Sequence, residues 1–353
     1  MAYTTINKSS EHFNSKLYVG NESTNAITGV GFQPDFVWMK NRQQDYYHGI
    51  YDSIRGTGTS KSLNSNSDET EGQNPGNLNL VSFDSNGFTV GATSGTNVIN
   101  TNNDNHASWN WKASGSASSN SNGSITSSVS ANQDAGFSIV SYTGNGTNGS
   151  SVGHGLGAVP QMLITKRLTS VDPWIVQHHQ ISATPWDDIY CVLNTTAARA
   201  GQLSVSGGYA PNVNEFYVGN DGAVNANGQN YITYCFTGKQ GFSKFGSYVG
   251  NGSSDGVFCY TGFKPSFVIT KAASASGQSW HMQDNKRDGF NYDNKRLFAD
   301  SSSSESGTTR MDLLSNGFKY RDGDGNGTGI TYIYMAFAEA PLVGTNNVPA
   351  NAR

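Results

Sequence analysis

The stretch that decides the fold is Gly31-Phe32-Gln33-Pro34-Asp35-Phe36-Val37-Trp38-Met39-Lys40. The same block returns twice, as Gly157-Ala158-Val159-Pro160-Gln161-Met162-Leu163-Ile164-Thr165-Lys166 and as Gly262-Phe263-Lys264-Pro265-Ser266-Phe267-Val268-Ile269-Thr270-Lys271. Proline cannot donate to a strand ladder, so we expect it at the first position of a strand. The apolar run that follows predicts a central strand that is buried on both faces.

Four further blocks surround this one in the same order. A strand with a Gly-Asn turn precedes it, at Leu17-Tyr18-Val19-Gly20-Asn21, Ser141-Tyr142-Thr143-Gly144-Asn145 and Ser247-Tyr248-Val249-Gly250-Asn251. An aromatic strand follows it and places Asp52, His178 and Asp284 at one shared position. Asn86-Gly87 and Asn316-Gly317 predict hairpin turns, whereas the middle copy has Asn214-Glu215-Phe216-Tyr217 instead. The last block is Trp109-Asn110-Trp111, Tyr234-Cys235-Phe236 or Met335-Ala336-Phe337.

Five blocks in one order, three times, indicate three copies of one unit. The 42 glycines, 11 % aromatic residues and only 14 % charged residues favour antiparallel β-structure. We therefore predict an all-β chain of three tandem antiparallel β-sandwich repeats of immunoglobulin-like or lectin-like size. The predicted boundaries are 1–113, 135–240 and 241–341 for the repeats, 114–134 for a flexible Ser/Gly/Asn-rich linker, and 342–353 for a C-terminal tail.

Charge and hydropathy exclude several classes of protein. A net charge of −4 argues against nucleic-acid binding. No apolar run reaches the length of a membrane span, and the polar amino terminus lacks the apolar core of a signal peptide. We expect Cys191, Cys235 and Cys259 to be buried hydrophobic residues, because their odd number and spacing fit neither a disulfide framework nor a metal site.

The candidates for chemistry are weak. Asp322, Asp324 and Asn326 resemble the start of a calcium loop, but the twelfth position is Ile333 and not a bidentate glutamate. Adjacent strand residues His178 and His179 point to opposite faces and do not easily share one metal. We therefore predict no metal, no cofactor and no enzyme activity.

Carboxylates and aromatic residues offer two further candidates. The cluster Asp68, Glu69 and Glu71, with Glu305 in a comparable loop, could serve glycoside hydrolysis, although solvated loops are the expected interpretation. Aromatic residues outside the repeated blocks suit binding to sugars or proteins, while pinning of loops to the sandwich is the structural alternative. These binding candidates are Tyr46, Tyr47, Trp186, Tyr190, Tyr209 and Tyr292.

The opening Met1-Ala2-Tyr3-Thr4-Thr5-Ile6, the Gly-x-x-Pro block, the Ser-Asn-Gly-Phe hairpin and Tyr332-Ile333-Tyr334-Met335-Ala336-Phe337-Ala338-Glu339-Ala340-Pro341 resemble a repeat domain of structural proteins in marine tailed bacteriophages. The resemblance covers nearly the whole chain and supplies no catalytic residues. It implies a component of the virion, often a tail fibre.

From this resemblance we expect a tail-fibre or host-adhesion module on the particle surface. The alternatives are a capsid decoration, cement or head-fibre protein and, third, a polysaccharide depolymerase. The partners expected are other virion proteins, a host surface receptor and further copies of the chain in a homo-oligomer, such as a trimer. No nucleic acid and no membrane insertion are expected.

Overall fold

The regular structure of the chain is almost entirely β. The computed structural model describes residues 4–73, 76–93, 95–289, 291–293, 295–307 and 311–340, so the predicted tail at 342–353 lies outside the described residues. All strand pairs within the sheets are antiparallel, which confirms the predicted all-β, antiparallel structure. No helix among these residues is both long enough and apolar enough to span a bilayer.

Copy 1 consists of a four-stranded sheet and a three-stranded sheet. Its strands are β1 (Phe13–Val19), β2 (Asn25–Thr28), β3 (Phe36–Asn41), β4 (Gly49–Asp52), β5 (Leu80–Asp84), β6 (Gly87–Val90) and β7 (Asn105–Trp111). The larger sheet has the order β1-β7-β3-β4 and the smaller one β2-β6-β5. Single turns of 3-10 helix lie at Ser9–Glu11 and Thr59–Lys61.

Copy 2 has the largest sheet, with seven strands in the order β14-β13-β12-β16-β10-β9-β8, and a two-stranded sheet of β11 and β15. Its elements are β8 (Ser118–Asn120), β9 (Ser127–Asn132), β10 (Phe137–Thr143), β11 (Ser150–Gly153), β12 (Met162–Arg167), β13 (Ile175–His178), β14 (Cys191–Val192), β15 (Glu215–Val218), the short helix α1 (Gly222–Asn225) and β16 (Asn230–Phe236).

Copy 3 repeats the plan of copy 1, with sheets β17-β24-β19-β20-β21 and β18-β23-β22. Its strands are β17 (Ser243–Val249), β18 (Phe258–Tyr260), β19 (Lys264–Ala272), β20 (His281–Asp284), β21 (Leu297–Phe298), β22 (Met311–Leu314), β23 (Gly317–Tyr320) and β24 (Thr331–Ala340). The Asn-Gly hairpins are present in copies 1 and 3, where they join β5 to β6 and β22 to β23.

The Gly-x-x-Pro block forms an inner strand of each large sheet, as predicted. Every residue of β3 is buried. Pro34 and Pro160 lie just before β3 and β12, and Pro265 lies at a register shift near the start of β19. These are positions where the missing N–H leaves no gap in the ladder.

The large and small sheets of each copy pack face to face in a sandwich-like pair of layers. In copy 1 the apolar cluster between them includes Tyr18, Val37 and Phe88. Tyr142, Leu163 and Phe216 belong to the corresponding cluster of copy 2. In copy 3 the cluster includes Tyr248, Val268 and Phe318.

The expectation of a flexible linker at 114–134 is wrong. This segment contains β8 and β9, and β9 pairs with β10 over six residues. The segment is ordered in spite of its Ser/Gly/Asn-rich composition, because its backbone hydrogen-bonds to β10. Ile125 and Val129 are enough to anchor it in the apolar cluster of copy 2.

The Gly-Asn turn that repeats in the sequence is held by a second asparagine. Asn100, Asn225 and Asn326 are completely buried. Asn225 Oδ1 accepts the backbone N–H of Asn145 at 2.9 Å, and its amide group donates to the carbonyls of Thr147 and Gly219. The same bonds from Asn100 and Asn326 fix the turns at Asn21 and Asn251.

We expect Asn225→Ala to destabilise the chain by about 1–3 kcal/mol, because it leaves the buried groups of this turn without partners. Urea unfolding followed by tryptophan fluorescence measures the change. The exposed neighbour Asn227 provides the control, since Asn227→Ala should change the free energy of unfolding by less than about 0.5 kcal/mol. Equal effects of the two substitutions would contradict the assigned role.

The three copies share one central core and are not separate tandem units. Equivalent residues of the three large sheets meet in a single apolar cluster. Its members include Trp109 and Trp111 from copy 1, Tyr234 and Phe236 from copy 2, and Phe267 and Phe337 from copy 3. The Phe13 ring stacks on Phe337 with a centroid distance of 4.8 Å, and Phe36 lies 4.3 Å from Tyr234.

Three equivalent hydrogen bonds close the copies into a ring. Trp174 Nε1 in copy 2 donates to the carbonyl of Asn64 in copy 1 at 2.9 Å. Trp280 Nε1 in copy 3 donates to the carbonyl of Val192 in copy 2 at 3.0 Å. His48 Nε2 completes the cycle, because it lies 2.9 Å from the carbonyl oxygen of Phe298. The same contact therefore runs from copy 2 to copy 1, from copy 3 to copy 2 and from copy 1 to copy 3.

Two buried ion pairs lie at the contacts between copies. Asp52 pairs with Arg55 and also accepts the hydroxyl of Tyr234 from copy 2 at 2.8 Å. Asp284 pairs with Arg287 at 2.7 Å and accepts Nε1 of Trp109 from copy 1 at 3.0 Å. His178 occupies the third equivalent position, as the alignment of the blocks predicted.

The lysine that ends each Gly-x-x-Pro block is completely buried. Lys40, Lys166 and Lys271 donate to backbone carbonyls, and Lys166 reaches across to the carbonyl of Asp68 in copy 1 at 3.1 Å. Burial lowers the pKa of Lys40 to about 7 and that of Lys166 to about 8. These ammonium groups satisfy carbonyls at one end of the large sheets.

Candidate ligand-binding site

A cavity of about 230 Å³, lined mostly by residues with polar side chains, lies in copy 3 beside the segment that follows β20. Lys264 contributes to its wall from the start of β19, and Leu313 contributes from β22. The remaining lining residues are Asn285, Gly289, Asn291 and Asp293.

The cavity arises where copy 3 departs from copy 1. In copy 1, Gly58 donates its N–H to the carbonyl of Leu80, only three positions after Arg55. In copy 3, Asp293 donates to the carbonyl of Met311, six positions after Arg287. The extra residues enlarge the loop, and Asp293 stands where copy 1 has a glycine. The longer loop of copy 3 thus supplies one wall of the cavity and the carboxyl group of Asp293, whereas the surrounding strands are common to copies 1 and 3.

Asp293 is the most unusual group in the cavity. Its side chain is buried, yet Oδ2 has no hydrogen-bond partner among the described residues. Oδ1 accepts the N–H of Lys295 at 3.2 Å. Burial raises the pKa of Asp293 to about 8, although the positive charge of Arg287 opposes the rise. Asn285 Oδ1 is likewise buried and without a partner.

The protonation of Asp293 makes the stability of the chain depend on pH. Because the folded-state pKa is raised from 3.8 to about 8, the folded chain loses relative stability as pH rises from about 4 to about 8. We expect Asp293→Asn, which cannot ionise, to remove this loss. Urea unfolding at pH 5 and pH 8 tests this, and parallel pH profiles for both proteins would contradict it.

The cavity suits a small polyhydroxylated ligand. A carboxyl group near neutral pH can donate to or accept from a hydroxyl group, and the amide oxygen of Asn285 can accept a second hydroxyl. Lys264 lies at the rim, where its ammonium group pairs with Glu339 at 2.9 Å. The volume is below the roughly 300–1,000 Å³ of sites for drug-sized ligands, so a single sugar ring is a better match.

The six aromatic candidates from the sequence lie in three different copies. Tyr292 adjoins two residues of the cavity wall and is 53 % exposed. Tyr209 is equally exposed, and its ring centroid lies 5.2 Å from that of Tyr217. Tyr190 is buried, and Trp186, Tyr46 and Tyr47 are half-buried, with Trp186 and Tyr46 packed against the apolar clusters.

The weak calcium-loop candidate has other contacts. Asp324 pairs with Arg296, and Asn326 is buried in the turn at Asn251 and Ser253. Asp322 accepts the N–H of Asp324. Within the described ranges, no three His, Cys, Asp or Glu side chains are placed to hold a metal ion.

The interpretation of Glu71 and Glu305 as solvated loop residues is wrong. Glu71 pairs with Arg55 and Lys61. Glu305 is only 9 % exposed and pairs with Arg42 of copy 1 at 2.9 Å and with Arg287. The local sequence is polar, but ion pairs within copy 1 hold Glu71, and a contact between copies 1 and 3 holds Glu305. The three cysteines are buried and free, as predicted.

Sequence patterns missed Asp293. The lengthened loop after Arg287 was the available signal, because alignment of copies 1 and 3 reveals the extra residues before the hairpin. A single aspartate in such a loop carries no recognisable motif.

Packed antiparallel sheets around a shared core, with a polar cavity in one inserted loop, define an all-β protein built from internal repeats. The family model described as "Domain of unknown function (DUF7483)" matches residues 8–341, and the chain belongs to this family. No curated protein and no solved structure matches the chain.

Proposed function

We propose that the chain is a structural protein of a bacteriophage particle, and that it serves as a tail-fibre or host-adhesion module on the particle surface. The resemblance of its repeated blocks to marine tailed-phage structural proteins supports the virion part of the proposal. Three β-sandwich-like copies around their shared core would form the frame, and loops on that frame would bind the host. Binding, and not catalysis, is the proposed activity.

The cavity around Asp293 carries the binding part of the proposal. An unpartnered buried acceptor costs about 1–3 kcal/mol, so its presence in a lined cavity favours a ligand that supplies the missing hydrogen bond. A hydroxyl group of a bacterial surface polysaccharide has the required chemistry. Tyr292 beside the cavity offers an exposed ring for a neighbouring sugar.

The other partners in the proposal are further virion proteins and further copies of this chain. Surface display on a particle benefits from several binding sites at once, since linked weak sites gain avidity. A homotrimer would provide three equivalent cavities. Sedimentation of the purified chain tests the oligomer.

Competition for adsorption tests the binding proposal. Purified chain is added to susceptible cells before the phage, and we expect it to reduce adsorption. Asp293→Asn keeps the shape of the side chain and should weaken competition by about tenfold, equivalent to about 1.4 kcal/mol. Asp134→Asn, at an exposed aspartate in copy 2, is the matched control and should compete like the wild type.

Two results would count against adhesion. One is unimpaired adsorption at a saturating dose of the chain. The other is release of reducing sugar from host polysaccharide, which would favour a depolymerase. Gold-labelled antibodies on intact particles distinguish a tail position from the alternative of a capsid decoration or head-fibre protein.

A further inference from the structure

Each copy has an edge groove, which we define as the gap between β1 and β2 in copy 1, between β10 and β11 in copy 2, and between β17 and β18 in copy 3. In copy 2 the segment 123–132 fills this groove. Its strand β9 pairs with β10 from Ser127 to Asn132. Upstream, Ile125 donates its N–H to the carbonyl of Ser151 in β11 at 2.9 Å. The segment thus bridges both sheets, and Ile125 and Val129 enter the apolar cluster of copy 2.

No segment of the described part of the chain fills the equivalent groove of copy 3. β17 is the outermost strand of the five-stranded sheet, and β18 is the outermost strand of the three-stranded sheet. The gap between them has a volume of about 420 Å³. Three of its lining residues are large and exposed: Val249 at 55 %, Phe258 at 42 % and Tyr260 at 54 %.

The backbone along this groove presents the groups that a further strand needs. Gly250 donates its N–H to the carbonyl of Ile330, so the alternation of an antiparallel ladder directs the amide groups of Ser247 and Val249 away from β24. In copy 2 the residue equivalent to Ser247 is Ser141, which pairs with Ser128 of β9. The open edge of β17 therefore has the register that β9 uses.

The edge of β18 matches β11 in the same way. Phe258 and Tyr260 occupy the positions of Ser151 and Gly153. The carbonyl of Gly153 accepts Ser127 Oγ at 2.8 Å, and the carbonyl of Tyr260 accepts Lys244 Nζ at 2.7 Å. In copy 3 Lys244 thus binds the carbonyl that corresponds to the one Ser127 binds in copy 2. The rings of Phe258 and Tyr260 border the gap where copy 2 has the small residues Ser151 and Gly153.

A side chain reaches across the groove in both copies 1 and 3, since Asn14 Nδ2 donates to the carbonyl of Val30 at 2.9 Å and the equivalent Lys244 donates to the carbonyl of Tyr260. Copy 1 differs in the strand that borders the gap, where Ala26 and Thr28 replace the aromatic Phe258 and Tyr260. In copy 3 two residues of copy 2 also contact β17: His179 Nε2 is 3.1 Å from the carbonyl oxygen of Phe245, and Ser247 Oγ donates to Gln180 Oε1 at 3.0 Å. Ser247 and Val249 are nevertheless exposed.

We propose that the edge groove of copy 3 binds an extended strand of a partner polypeptide. The partner strand alternates small apolar side chains, which enter between the sheets, with polar ones, as in Ile125–Asn132. The occupant of the equivalent groove in copy 2 supports this chemistry directly. Strand addition of this kind gains affinity from main-chain hydrogen bonds and specificity from alternate side chains. The inference does not depend on a ligand at Asp293.

A labelled peptide tests the proposal with the full-length chain. The probe is a fluorescent peptide of residues 122–133, and its fluorescence anisotropy is measured as the chain is added. We expect saturable binding, and protection of the Ser247 amide from hydrogen exchange when the peptide is present. Ser128 is the partner of Ser141, the residue equivalent to Ser247, so its N–H faces the strand edge; Ser128→Pro in the peptide removes this ladder donor and should weaken binding by about tenfold.

Two variants of the chain locate the binding site. Val249→Pro removes an outward N–H of β17 and should weaken binding by about tenfold. Val19→Pro, at the equivalent and equally exposed position of copy 1, should bind the peptide like the wild type. Absence of saturable binding, or equal binding by Val249→Pro, would overturn the proposal. Dimerisation of the chain that Val249→Pro abolishes would also overturn it, because the occupant would then be a second copy.

Discussion

A chain that ends after Lys239, and therefore lacks copy 3, will fail to fold into a stable pair of copies. Copy 3 supplies Phe267, Ile269, Met335 and Phe337 to the central core, and all four are buried there. Loss of one buried phenylalanine costs about 3–5 kcal/mol, whereas a whole domain is stable by only about 5–15 kcal/mol. Removal of four such side chains therefore exceeds the stability available.

Far-ultraviolet circular dichroism and limited proteolysis measure this outcome. The full-length chain is the control, and it should unfold in a single transition because one core joins all copies. Buried tryptophans serve as separate reporters, with Trp111 in copy 1, Trp174 in copy 2 and Trp280 in copy 3. Separate unfolding midpoints for single-tryptophan variants, or a protease-resistant fragment 1–239, would contradict the shared-core interpretation.

Asp284→Ala will destabilise the chain by about 3–5 kcal/mol, because the buried charge of Arg287 loses its nearer carboxylate partner. Asp284 accepts Nε of Arg287 and Nε1 of Trp109, so the substitution also disrupts the contact between copies 3 and 1. The remaining carboxylate of Glu305 lies 3.4 Å from Arg287. The free energy of unfolding in urea measures the effect.

Two controls separate burial from charge. Glu11→Ala removes an exposed partner of Lys8 and should leave stability within about 0.5 kcal/mol of wild type. The double substitution Asp284→Ala with Arg287→Met removes both charges, so it should be less destabilising than Asp284→Ala alone. A double variant as unstable as the sum of both single changes would argue against a buried-charge penalty.

The repeated blocks predicted the strands well because strand formation depends on local pattern. The Pro-led apolar runs became β3, β12 and β19, and the Asn-Gly pairs became hairpins. The shared core was harder to predict. A strand that is apolar on both faces indicates burial on both sides, but the pattern does not identify which copy covers the second face.

Composition led to a wrong prediction for the segment 114–134, whose structure depends on backbone hydrogen bonds and not on side-chain type. Residues 114–134 are rich in Ser, Gly and Asn, yet β9 gains a complete ladder along β10. The candidate site escaped prediction for a different reason. Asp293 acquires its raised pKa from burial in a loop that is longer than its counterpart in copy 1, and no short motif encodes that environment.

The contact between the first and third copies has a topological consequence. The side chain of Ser9 donates to the carbonyl of Glu339 at 2.5 Å, so the two ends of the described chain meet at the same contact. A polypeptide that starts at Gly241, runs through Glu339, is joined by a short peptide to Ser9, and stops at Gln240 would trace the same closed assembly. We therefore expect the three copies to assemble in the same way whichever of them comes first in the chain.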